Sequence, residues 1–476
     1  MGKTGKDRFA ELGRTVAHTR NTRLAAVIRE TGWSQEQVAA HFRRVAAENQ
    51  ASELLATTRS HINQWVRGVQ PSGRAPDTLC ETLSRRLRRT VTRAEVGLRS
   101  ASPTVPEASE WSVDTLDALV ELGSSDLDME RRHVLEGSVY SVVGLSLPGQ
   151  SWWEQAPERA RSRLPASGHV VGSSEVDDVR EMMDVFSRRD QRRGGRAGRT
   201  ALAAYLWSDL ATYLNSRFPS EELRRELFSA AGELVYLCGW MNFDASRHGV
   251  AESYFKLALR VAAEADDAPL AGHILRAMAH QAVDLGHPKP ALDLATASLE
   301  RKRYSLASPR EKALLGVVHA RSLAAAGQRQ EALAALLRAE DDLATADDGE
   351  GPGRVFFFGE ASLAHETACT LLDLGDLKAA QREFVRSVRT RRATPFARTH
   401  SVTLGYLGAV QAQQGELEAA CHTWSSALDA MDGVQSGRAR EAVVTMRRVL
   451  SPFRNRGIPV VAELDARAKA VLDRVA

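Results

Sequence analysis

Cysteine is scarce: four in 476 residues, Cys80, Cys238, Cys369 and Cys421, none of them in a CxxC pair. Structural zinc needs clustered ligands, and a disulfide framework needs a short, cysteine-dense chain, so this spacing excludes both. The four read as reduced, mostly buried thiols of a cytoplasmic protein. Aromatics are also sparse, at 6%. With Ala, Leu, Arg and Glu dominant, the composition favours helix over sheet. Long apolar runs are missing as well. Arg131–Arg132 followed by VLEGSVYSVVGLSLP looks like a twin-arginine leader, but it stands far inside the chain, carries Glu136 and falls short of the ~20 residues that span a bilayer. It reads as a buried helix. The opening MGKTGKDRFAELGR lacks the apolar centre of a signal peptide. No membrane partner is expected.

Catalytic signatures are absent too: there is no HExxH, GxSxG, Walker or kinase set. The stretch SRRDQRRGGRAGR at 187–199 is basic and Gly-rich, but no GK[ST] follows its glycines and no strand precedes it. It reads as an exposed loop, or more sharply as a second phosphate contact. His273, His280 and His287 recur every seven residues, which on one helix sets neighbours about 10 Å apart, too far to share a metal. They read as surface or packing histidines, and Trp152–Trp153 as a core anchor. No catalytic residue, metal or cofactor is assigned, and the chain is not expected to be an enzyme.

What is present is soluble-protein bulk, with 43% hydrophobic residues and a mean hydropathy of -0.30, enough for roughly two to four compact units. The net charge of +3 hides an asymmetry. Residues 1–99 hold 18 Lys and Arg against 9 Asp and Glu, a net of +9, and the remainder holds 45 against 51, a net of −6. A basic head on a mildly acidic body points the head toward a polyanion.

The head reads as four helices. Residues 8–30 carry a helical pattern. Ser34 with Gln37 three residues on makes a capping box for a second helix, in which Val38, Ala39 and Phe42 face inward and which runs to about Asn49. A third helix, capped by Thr57 or Thr58, turns Ile62, Trp65 and Val66 inward at i, i+3 and i+4 and leaves Arg59, Ser60, His61, Asn63 and Gln64 outward. Gly68 stops it in a left-handed cap. Pro76 opens a fourth helix that buries Leu79, Leu83 and Leu87.

The series W33-S-Q-E-Q-V-A, then R-S-H-I-N-Q-W-V-R-G, then P76-x-x-L resembles the helix-turn-helix of XRE and lambda-repressor type. The resemblance implies that the third helix is the recognition helix and that double-stranded DNA is the partner. Thr58, Arg59, Ser60, His61, Asn63 and Gln64 would then meet the major groove, Arg59 reading guanine and Asn63 or Gln64 adenine. Arg67, Arg74, Arg43 and Arg44 would sit near phosphates. The family's short turn between helices two and three is replaced here by HFRRVAAENQASELLA. The alternative is a four-helix domain that binds only protein.

Residues 100–112, opening SASPTVPEASE, read as a linker. A helical middle region spans 113–225: one helical piece from Val113 to about Leu147, a looser piece with Pro148, Pro157, Pro165 and Gly168, and helices resuming near Glu175. From 226 to 476 the chain repeats itself. Five units share a small residue, a turn residue seven later, then Ala, a bulky position and a small one. They are Gly239, Ser246, Ala251, Phe255, Ala258; Ala279, Gly286, Ala291, Ala295, Ser298; Ala320, Gly327, Ala332, Leu336, Ala339; Ala368, Gly375, Ala380, Phe384, Ser387; and Gly408, Gly415, Ala420, Trp424, Ala427. A small residue on the first helix lets the second approach, glycine turns the chain, and Ala with a bulky neighbour fills the groove. The alanines recur at 40, 41, 48 and 40 residues, so the units resemble tetratricopeptide (TPR) repeats lengthened beyond the usual ~34, with an extra loop near 345–358.

The expected fold is therefore all-α, an N-terminal helix-turn-helix domain followed by a TPR-like solenoid. Segments GWMNFDASRHGVAESYFKLAL from Gly239, VREMMDVF from Val179 and WVRGVQPSGRAP from Trp65 resemble actinobacterial regulators with a helix-turn-helix head and TPR-like tail. Kinship with that group implies a transcriptional regulator, some of whose relatives are linked to sporulation and antibiotic production. The repeat groove would take a peptide, a small effector or a protein partner, or serve homodimerisation. The alternative is a scaffold without DNA binding that sequesters or recruits another regulator.

Overall fold

A computed structural model of the chain describes residues 19–49, 51–99, 111, 113–132, 139–165, 168–347, 351–454 and 458–474. Among these the secondary structure is all-α, and no strand forms beyond one isolated bridge between Val170 and Arg217. Two compact units separate, one over residues 19–47 and 51–99, the other over residues 48–49 and the described residues from 111 onward.

The N-terminal unit packs α1 (Thr22–Glu30), α2 (Gln35–Glu48), α3 (Arg59–Val66) and α4 (Ala75–Leu87) around one core. Asn21 caps α1, its Oδ1 accepting from the Leu24 N–H at 3.0 Å. The described part of the 8–30 pattern becomes helical only at Thr22. The capping box of α2 is in place: the Ser34 N–H donates to Gln37 Oε1 at 2.9 Å, and the Gln37 N–H to Ser34 Oγ at 3.3 Å. A 3₁₀ turn, Ser52–Leu54, occupies the long α2–α3 connection. Gly68 takes φ +105° where α3 stops. In α4, Leu79 and Leu83 are fully buried, while Leu87 is only half-buried, because α4 ends there in the left-handed residue Arg88.

The second unit opens with α5 (Thr115–Arg132), α6 (Gln150–Arg161), α7 (Ser173–Arg193) and α8 (Arg199–Tyr205); a π turn (Leu206–Leu210) carries α8 into a last turn, Ala211–Leu214. Three expectations are corrected here. Of the helical piece from Val113, the described helix is Thr115–Arg132. Of the apolar run read as a buried helix, 133–138 lie outside the described residues, and 139–147 hold only extended chain and a 3₁₀ turn, with Tyr140 buried. The looser piece contains α6 with Pro157 inside it, tolerated because α6 is held against the helix His248–Glu264. The basic Gly-rich stretch is helix up to Arg193, because Phe186, Asp190 and Gln191 are buried, and only Gly194–Gly198 turns. Of the expected linker at 100–112, only Trp111 lies within the described residues, and it is buried in the core edge-on to Trp152 at 5.2 Å between centroids.

Five antiparallel helical hairpins follow: α9 (Glu221–Asp244) with α10 (His248–Glu264), α11 (Ala268–Asp284) with α12 (Pro288–Ser298), α13 (Pro309–Ala325) with α14 (Arg329–Ala344), α15 (Glu360–Asp373) with α16 (Leu377–Thr390), and α17 (Ala397–Gln413) with α18 (Leu417–Ala430). Ser246, Gly286, Gly327, Gly375 and Gly415 make the five turns at positive φ. Ala251, Ala291, Ala332, Ala380 and Ala420 are each at 0% exposure, as are Phe255, Phe384 and Trp424. A Cβ on Gly239 would meet Phe255 at 2.7 Å, and one on Gly408 would meet the Trp424 indole, so these two positions set how closely the paired helices approach. Two last helices, α19 (Gly437–Leu450) and α20 (Pro459–Arg474), pack beside α17 and α18.

The end of the array folds back onto its start. Arg398 on α17 pairs with Asp190 on α7 at 3.1 Å and with Asp244 on α9 at 3.3 Å. Asp244 also accepts from the Gly195 N–H at 2.8 Å and from Ser436 Oγ at 2.9 Å. The Arg196 N–H donates to the Gln435 carbonyl at 3.1 Å, and a side chain at Gly195 would strike the Met241 backbone.

Candidate nucleic-acid interface

The third helix begins at Thr58, an extended N-cap (φ −119°, ψ 172°) whose N–H donates to His61 Nδ1 at 3.1 Å. That bond fixes the His61 tautomer, leaving Nε2 as the N–H edge. Arg43 on α2 donates Nη1 to the Thr57 carbonyl at 2.7 Å. At the far end the Asn21 N–H donates to the Val66 carbonyl at 2.9 Å. Ile62 (0% exposed), Trp65 (7%) and Val66 (6%) fill the core, with Trp65 tilted against Phe42 at 5.4 Å between centroids. The opposite edge presents Arg59, Ser60, His61 and Gln64 to solvent, with Thr58 and Arg67 at its ends and Asn63 half-buried.

Of the four arginines expected near phosphates, at least Arg43 and Arg74 turn to internal partners. Arg43 holds the α3 entry as above. Arg74 forms a two-pronged pair with Glu53, Nε to Oε1 at 2.9 Å and Nη2 to Oε2 at 2.7 Å. The hydrogen bond from Arg74 holds the Glu53 carboxyl below its usual range. Arg44 is exposed on α2. Among the described residues Arg59 and Arg67 meet no carboxylate within ion-pair distance. His41 stacks on Trp33 at 4.0 Å, and Arg86 lies over the same indole at 5.2 Å. Burial, then the charges of Arg44 and Arg86, push the His41 pKa down.

In the second unit His273, His280 and His287 are all buried, at 1%, 2% and 1% exposure, and each meets another side chain: Arg276, Arg438 and Tyr140 respectively. Among the described residues no group of three His, Cys, Asp or Glu is placed to hold a metal ion. The four cysteines are unpaired and buried. Burial raises the Cys80 and Cys238 thiols to about 12, which removes them as nucleophiles. No described helix is long and apolar enough to cross a membrane. Sequence reasoning missed Arg276 and Arg398 on the first helices of two hairpins, Arg391 just after α16, and Arg438 at the start of α19.

Residues 24–99 match the family described as the SP15 N-terminal domain. The match begins inside α1 and runs through α4 to the end of the described N-terminal unit. It covers far less than half of the chain, and its description names a domain without an activity. No curated protein matches the chain.

Proposed function

We propose that the chain is a DNA-binding transcriptional regulator that acts inside the cell, reads a specific sequence through the outward edge of α3, and uses its hairpin unit to bind an effector or partner and to dimerise, rather than an enzyme. One observation carries this reading. In a unit of strongly basic sequence, an eight-residue helix is pinned from behind by Ile62 and Trp65 and at its start by Arg43, while Arg59, Ser60, His61, Gln64 and Arg67 stay uncovered. A fixed backbone with guanidinium and amide groups outward supplies the two-pronged donors and acceptors that distinguish base edges. The uncovered arginines supply the salt-dependent attraction to phosphate.

The test is selection of binding sites from random double-stranded DNA by the full chain. One enriched motif is expected. Arg59→Ala and Gln64→Ala should change which bases are preferred, whereas Arg67→Ala should weaken all sites alike and lower the salt slope by about 1. Uniform weak binding without a motif overturns the reading. It would favour the second reading, a scaffold that sequesters or recruits another regulator, for which the inward use of Arg43 and Arg74 speaks.

A further inference from the structure

Where the array folds back on itself lies a partly open cavity of about 50 Å³ lined by α7, α9, α11, α13, α15, α17 and α19 and by the turn before α15. Four arginines line it, Arg276, Arg391, Arg398 and Arg438, against one carboxylate, Glu366.

Two of the four are answered by carboxylates outside the lining. Arg398 has Asp190 and Asp244, and Arg438 has Asp284 at 3.5 Å. Glu366 is already shared between Arg321 at 3.7 Å and His280 at 3.8 Å. The other two differ. Arg276, 2% exposed, gives Nη2 to Tyr236 Oη at 2.9 Å and to a His273 ring nitrogen at 3.1 Å. Arg391, 8% exposed, gives Nη2 to the Ala361 carbonyl at 2.8 Å and to Ser387 Oγ at 3.3 Å. Neither has a carboxylate within ion-pair distance among the described residues, and the Nε of each lacks a hydrogen-bond partner. Burial, then the charge of Arg398, pulls Arg391 down to about 10.

A buried cation without a counter-charge costs several kcal/mol. Two on one cavity are an expensive arrangement for scaffolding, where an apolar residue serves better. They suit an anion, since the guanidinium fork matches carboxylate and phosphate oxygens. The walls also suit an apolar body: Trp240 has Arg276 at 5.6 Å and Arg398 at 5.9 Å from its ring, and Phe357 stands on the same lining. The space is small, and the fold-back across Asp190, Asp244 and Ser436 bounds it, which disfavours an extended peptide.

We propose that this cavity binds a small organic anion, its carboxylate or phosphate held between Arg276 and Arg391 and its apolar part laid against Trp240 and Phe357. This gives a chemical class to the effector of the regulator reading, but it rests on the hairpin unit alone, and its test uses no DNA. Failure here therefore leaves the DNA-site selection to stand or fall separately.

The test measures thermal midpoints and calorimetric affinities of the full chain with phenylacetate, phenyl phosphate, inorganic phosphate and neutral phenylacetamide at millimolar concentration. At least one organic anion should raise the midpoint and bind about tenfold or more tighter than the amide. The arm that binds best, phenylacetate or phenyl phosphate, tells carboxylate from phosphate. Arg391→Met should raise the midpoint of the ligand-free chain and abolish the anion-dependent shift. A purely structural arginine gives the opposite sign. Arg276→Lys, which keeps the charge and loses the fork, should fold and bind the anion at least about tenfold more weakly. Equal binding of amide and anion, no shift with any anion, or a lower ligand-free midpoint for Arg391→Met with the shift retained overturns the proposal. Tighter binding of a short peptide than of every small anion does so as well.

Discussion

In the N-terminal unit the arginines ring the surface. Arg74 pairs with Glu53, Arg89 with Glu30 and Glu95, and Arg93 with Asp77, while Arg59 and Arg67 stand in solvent. In the second unit a set of them lies inside. Arg247, 4% exposed, holds Asp126 at 2.6 Å, and Arg354, 7% exposed, holds Glu233 and Glu311 at 2.7 Å each. The same side chain has different consequences in the two settings. An exposed guanidinium costs little to leave unpaired, so Arg59 and Arg67 remain available to a polyanion. A buried one must be matched, so an unmatched Arg276 or Arg391 points to a ligand and a matched Arg354 to architecture.

The sharpest way to break this comparison is Arg354→Met. It leaves Glu233 and Glu311 buried without their cation, and burial already pushes the Glu233 carboxyl up. The hairpin unit should lose about 3–5 kcal/mol, read by denaturant melts, with hydrogen exchange in α3 unchanged. A loss below about 1 kcal/mol would mean that buried and exposed pairs are equivalent here.

Acid should separate the units next. His365 is enclosed by Phe384, Tyr406 and the Thr403 hydroxyl at 2.9 Å, and burial lowers its pKa to about 3; burial lowers His273 and His280 too. A histidine depressed in the fold contributes stability that is present above its unfolded pKa of about 6.5 and is lost as pH falls toward the folded value, at up to about 1.4 kcal/mol per pH unit for each group. Asp190 works the other way: burial raises it to about 7, so its contribution is present in acid and lost as pH rises through that range. Five histidines held low by burial, His273, His280, His319, His365 and His400, against two acids raised by it, Asp190 and Glu233, predict a net loss in the hairpin unit between pH 6.5 and 4.5. His365→Gln should make that loss shallower. Hydrogen exchange in α15 checks this against α2, whose His41 is held low but is only partly enclosed.

The smallest effect sharpens the surface side. Arg74→Ala removes a pair whose Glu53 side chain is 52% exposed, so the melting curve should move by no more than about 0.5 kcal/mol. A larger change would make Arg74 structural rather than spare.

Local pattern carried much of the fold. The Ser34–Gln37 cap, the inward stripe of α3 and the five hairpin turns are set by residues within one or two helical turns of each other, and sequence reasoning reaches that far. It failed between 113 and 214, where burial overrode local signals. Pro157 sits in a helix because a neighbouring helix holds it, and the Arg-rich end of α7 stays helical because Asp190 and Gln191 face inward. The cavity was not legible at all. Asp190 meets Arg398, and Asp244 meets Ser436, about two hundred positions away in the chain, and no local period records such a contact.

The most direct measurement of the central claim is the affinity of the full chain for its selected DNA site and for a scrambled duplex, over a range of salt, with and without Arg59→Ala. The outward edge of α3, read as a base-reading surface, predicts a preference of 10³-fold or more for the site. That preference should shrink in Arg59→Ala while affinity for the scrambled duplex changes far less. Equal affinity for both duplexes, or an undiminished preference in the variant, would contradict it.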